Sequence, residues 1–87
     1  MKKQFSGVKT LDQIRAQCKR DGVEFDDAAY KRGGDSVLLR SPGVCIDINP
    51  HNGVFYGAVS GYPCFSSANP LDGEPWFDAL REYFYVA

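Results

Sequence analysis

Three short stretches rich in β-branched and aliphatic residues, Ser36–Arg40, Val44–Asn49 and Val54–Val59, are separated only by Ser41-Pro42-Gly43 and by Pro50-His51-Asn52-Gly53. Proline sets φ for a turn, and glycine and the Asn-Gly pair accept the positive φ that a tight hairpin requires. Parallel pairing would need a crossover of a dozen or more residues, so connections this short impose an antiparallel meander of three strands. In the middle strand Val44, Ile46 and Ile48 alternate with Cys45, Asp47 and Asn49, which gives one apolar and one partly polar face. Val37 and Leu39 before it, and Val54, Tyr56 and Ala58 after it, are expected to extend the apolar face.

That face needs a cover, and the flanking sequence supplies two helices. Thr10 with Gln13 three residues later is a capping box, and Leu11, Ile14 and Cys18 then share one side of a helix ending near Arg20, with Gly22 placed to stop it. Pro75 suits a first helical position, because its missing N–H has no intrahelical partner there. From it a helix is expected to about Tyr85, burying Trp76, Phe77, Leu80, Tyr83 and Phe84 and exposing Asp78, Arg81 and Glu82. Val23 to Phe25 fits the start of a strand, whereas Asp26 to Arg32 mixes helix formers, an aromatic and charge, and residues 23–33 stay unassigned. The expected fold is α+β in two layers: N-terminal helix, three-stranded antiparallel meander and C-terminal helix, both helices on one sheet face. With 87 residues the chain has room for one core, so residues 1–87 are read as one domain.

Function classes narrow next. No apolar run approaches the roughly 20 residues that span a bilayer, and Met1 to Lys9 carries charge without an apolar stretch, so no membrane partner and a cytoplasmic location are expected. Cys18, Cys45 and Cys64 are odd in number and widely spaced, unlike a disulfide framework or a CxxC site, and Cys18 and Cys64 are expected as small buried packing residues. With one histidine no metal site is expected, and no motif calls for a cofactor or a catalytic group.

Three constellations carry residue types suited to chemistry. Cys45, Asp47 and His51 fall within seven residues, as a thiol-dependent enzyme using Cys45 would want, but His51 lies in the turn beyond the strand that holds the other two. Lys31-Arg32-Gly33-Gly34 lacks the spacing of a phosphate-binding loop. Lys19, Arg20, Lys31 and Arg32, with Lys2, Lys3 and Lys9, offer the alternative of a small nucleic-acid-binding protein, although a net charge of −1 promises little counterion-release affinity.

The remaining signal is a concentration of aromatic and acidic residues. Nine of the twelve aromatics lie from Phe55 onward; residues 41–87 carry five Asp or Glu against one Lys or Arg, while residues 1–40 carry nine Lys or Arg against six Asp or Glu. The sequence therefore predicts a non-enzymatic protein-binding module, comparable in size and composition to small inhibitors or adaptors such as those phages direct at nucleic-acid-binding host defence complexes. Its expected contact residues are Phe55, Tyr62 and Phe65 with an acidic ridge of Asp72, Glu74, Asp78 and Glu82, presented to a partner protein with a basic surface. A homodimer through the sheet edge or the aromatic surface is an open alternative.

Overall fold

The computed structural model describes residues 7–71 and 73–86. Along the chain run β1 (Gly7–Val8), α1 (Leu11–Asp21), β2 (Glu24–Asp26), α2 (Ala28–Lys31), β3 (Val37–Ser41), β4 (Val44–Ile48), β5 (Phe55–Val59), β6 (Phe65–Ser66), α3 (Pro75–Phe84) and β7 (Tyr85–Val86). The α+β class is as expected, but the sheet has five antiparallel strands in the order β2-β3-β4-β5-β6. The central meander is present and each edge gains a short strand. A separate two-stranded ribbon pairs β1 with β7, Gly7 facing Val86 and Val8 facing Tyr85.

Local signals account for the helix ends. Thr10 accepts from the Gln13 backbone N–H while the Gln13 side chain accepts from the Thr10 N–H, closing the capping box that opens α1. Gly22 ends α1 in the left-handed conformation, φ 71°, and donates its backbone N–H to Cys18. Pro75 occupies the first turn of α3. In the β3–β4 connection Ser41 faces Val44 across Pro42 and Gly43, with Gly43 at φ 74°, the pattern of a type II turn.

Ile14 and Cys18 from α1 and Phe77 and Phe84 from α3 pack with Val37, Leu39, Ile46, Ile48, Phe55 and Phe65 into one buried cluster. Both long helices therefore cover the same sheet face. Phe55 sits at the centre of the aromatic part, its ring centroid 5.2 Å from Phe84, 6.1 Å from Phe77 and 6.4 Å from Phe65. The helices are also tied by polar contacts: the Tyr83 hydroxyl on α3 donates to Asp21 at the end of α1, and Lys9 Nζ donates to Gln17 Oε1 at 2.9 Å and to the Glu82 carbonyl. Tyr85 donates its hydroxyl to the Gly53 carbonyl at 2.6 Å, which pins the terminal ribbon to the β4–β5 turn. No helix among the described residues is long and apolar enough to cross a membrane.

The register of β5 corrects one expectation. Ile48 pairs with Phe55, Ile46 with Gly57 and Val44 with Val59, so Phe55, Gly57 and Val59 face the core. Val54, Tyr56 and Ala58 do not extend it. Because side chains alternate strictly, the turn that puts Phe55 opposite Ile48 sends Tyr56 to the other face.

Candidate functional site on the open sheet face

The strand register places Asp26, Leu38, Asp47, Tyr56 and Ser66 side by side across all five strands. The adjoining row contains Glu24, Arg40, Cys45 and Ala58. These residues point away from the helices, and Cys45, Tyr56, Ala58 and the neighbouring Cys64 are exposed. Tyr56, at 61 % of its full accessibility, is the most exposed large apolar side chain among the described residues. Gly57 and Ala58 lack bulk, and beside the tyrosine ring they leave a shallow depression of about 310 Å³ whose walls include Cys45, Asp47 and Cys64.

Charge on this face is uneven. Among the described residues Arg40 is the one cation on these two strand rows, and it donates to Glu24 and, at 3.2 Å, to Asp26, whose carboxylate also feels the charge of Arg32. Asp26 also accepts the Ala28 backbone N–H at 3.1 Å. That N–H, and then Arg40, hold the Asp26 carboxyl below its ordinary pKa, and the two carboxylates raise that of Arg40. Asp47 accepts from the Ser36 hydroxyl at 3.2 Å and pairs with no cation among the described residues. With Arg40 and Arg32 both acting at the Glu24–Asp26 end, the acidity among the described residues is concentrated at Asp47.

The residues singled out in the sequence are distributed differently from the expected surface. Phe55 and Phe65, 1 % and 3 % exposed, are core residues and are corrected as contact candidates. Phe65 is packed edge-on against Phe77, centroids 5.2 Å apart, and tilted on Trp76 at 5.6 Å. Tyr62 remains at the surface, 42 % exposed, with its ring edge-on to Trp76 at 5.1 Å. The indole Nε1 of Trp76 is buried without a hydrogen-bond acceptor among these rings. Asp72, like Lys2 and Lys3, lies outside the described residues.

Glu74 is the N-cap residue of α3 and makes no side-chain capping bond. Asp78 is paired with Arg81 at 3.2 Å, and Arg81 also lies 4.6 Å over the Phe77 ring. Glu82 is partly buried and lends its carbonyl to Lys9. Internal pairing thus offsets part of the acidic ridge on α3, whereas among the described residues Asp47 on β4 has no such cation.

For the alternative chemistries, Lys31 pairs with Asp27 at 3.6 Å, and Lys19, Arg20 and Arg32 are exposed at the ends of α1 and α2. Cys45 and Asp47 share the open face, but the four steps from Cys45 to Asn49 already span about 13 Å of strand, and His51 lies beyond them. His51 stands 3.6 Å from Asp35 and packs its ring 5.4 Å from Tyr30. The thiol and the imidazole are therefore not assembled. Cys18 is buried as expected, while Cys64 is exposed and not a packing residue. Among the described residues no group of three His, Cys, Asp or Glu is placed to hold a metal ion.

Sequence reasoning missed Tyr56 as an outward residue, although the alternation of β4 had already put Asp47 on the polar side. The available signal was hairpin register. Comparisons with protein-family models, with curated proteins and with solved structures return no match to this chain.

Proposed function

We propose that this chain is a small protein-binding module, an inhibitor or adaptor, that docks onto a basic partner surface through the open face of its sheet. The observation that carries this reading is the juxtaposition of a highly exposed Tyr56 with Asp47, which among the described residues has no cationic partner. Exposed tyrosine is an efficient interface anchor because it offers a large rigid surface with a polar tip, and acidic neighbours steer a cationic partner toward it. A surface that normally holds nucleic acid has the required charge, as the host defence complexes named above would. The same acidity opposes direct binding of phosphate backbones here and opposes face-to-face pairing of two copies.

Affinity capture from a native host with the wild-type chain, Asp47→Lys and the pair Asp78→Lys/Glu82→Lys tests the assignment. A partner retained by wild type and by the α3 pair but lost with Asp47→Lys supports the sheet face. Retention by Asp47→Lys with loss in the α3 pair returns the contact to the last helix.

A further inference from the structure

Resting on that assignment, we propose that Asp47 and Tyr56 form a clasp for an arginine side chain of the partner, selective for guanidinium over ammonium. The two residues are directly opposed on β4 and β5. Cβ atoms of such a pair lie about 5 Å apart, close enough for both side chains to meet one group above the sheet. Ser36 uses one carboxylate oxygen of Asp47, Oδ2, and holds the group in place while Oδ1 stays available.

Charge complementarity selects the occupant. Arg40 is committed to Glu24 and Asp26, and Arg32 acts on Asp26 as well, so among the described residues Asp47 is the carboxylate of these rows left without a cation. Among the described residues the Tyr56 ring has no aromatic neighbour, and beside it the depression floored by Gly57 and Ala58 leaves room for a flat group. A guanidinium is planar, weakly hydrated and able to lie on a tyrosine ring while its edge donates to a carboxylate. An ammonium is compact and strongly hydrated, and it presents no such edge. The protein itself places a guanidinium over a ring twice, with Arg15 5.2 Å over Phe25 and Arg81 4.6 Å over Phe77, each also paired with a carboxylate.

The test is a titration of the isotopically labelled full chain with N-acetyl-argininamide and, separately, N-acetyl-lysinamide, followed by amide chemical shifts at low salt. The expected result is a response centred on Asp47, Tyr56 and Ala58, with an advantage for the arginine compound of about two- to fivefold, the size of an exposed cation–π contact. Asp47→Asn and Tyr56→Leu should each remove that advantage, and their dispersed spectra report that they remain folded. Equal responses to the two compounds, a response elsewhere on the chain, or an advantage surviving in both variants would overturn the clasp. If the captured partner still depends on Asp47 while the arginine preference is missing, the clasp falls and the docking face stands. If neither depends on Asp47, both fall.

Discussion

Gly57 lies directly beneath the ring of Phe65: a Cβ on Gly57 would stand 2.6 Å from Phe65 Cζ and 2.5 Å from Ile46 Cδ1. The absent side chain is what lets β6 close on β5, since Gly57 and Phe65 are register partners and both belong to the core side of the sheet. Gly57→Ala forces a methyl group into filled space and should destabilise by about 1–3 kcal/mol, as overpacking usually does. Urea midpoints read the loss, and Phe65→Leu in the Gly57→Ala background should recover part of it, because the two sites share one space. Full stability in Gly57→Ala alone would mean that β6 is not packed as described.

The register of β5 makes neighbouring aromatics behave oppositely. Phe55 is enclosed by Phe65, Phe77, Phe84 and Tyr85, so Phe55→Ala should cost about 3–5 kcal/mol. Tyr56 stands in solvent, so Tyr56→Ala should stay within about 0.5 kcal/mol of wild type. Equilibrium unfolding of the two variants decides the register, because a slip of one residue would exchange the two outcomes.

That pair also shows where the sequence was legible. Thr10 and Gln13, Gly22 and Pro75 act within a few residues of themselves, and the helix ends they mark are found in place. The Val44-Ile46-Ile48 alternation likewise names its core face without help. In Phe55-Tyr56-Gly57-Ala58-Val59 bulky apolar residues are adjacent and the middle position is glycine, so period two has no unique phase. The phase comes from the turn opposite Ile48. The edge strands β2 and β6 are two or three residues long and exist through pairing with β3 and β5, which no local pattern announces. The open face was hidden for the same reason: Asp47 and Tyr56 are nine positions apart in the chain and meet through register alone.

The thiols should divide two against one. Cys45 and Cys64 are exposed and should react with a thiol reagent in the native protein, whereas Cys18 is buried between α1 and the sheet and should react on unfolding. Cys45 and Cys64 flank Ala58 two strands apart, about 10 Å between Cα atoms, too far for a mutual disulfide. Burial, and then the Asp21 carboxylate, push the Cys18 thiol from 9.0 up to about 11. The native state holds that proton when the unfolded chain has released it, so this contribution is intact below pH 9.0 and is lost as pH rises toward 11. The slope is at most about 1.4 kcal/mol per pH unit. Urea midpoints through that interval should fall more steeply for wild type than for Cys18→Ala, and parallel curves would remove the thiol as the cause.

Asp26 works at the acid end with the opposite sign. Its carboxylate caps the Ala28 N–H and binds Arg40, which lowers its folded pKa below the ordinary 3.8. The unfolded chain then takes up this proton at higher pH than the native state does, so the stabilisation is present above the unfolded value and is lost as pH falls through the folded one. Asp26→Asn should therefore be less stable than wild type near neutral pH, and the gap between them should close as the medium is acidified below about pH 4. Paired denaturant titrations at about pH 7 and about pH 3 measure that gap. Added salt should narrow it at neutral pH, since Asp26 and Arg40 meet at the surface where ions screen them. A gap that stays constant with both pH and salt would show that Asp26 contributes through the shape of the β2–α2 turn and not through its charge.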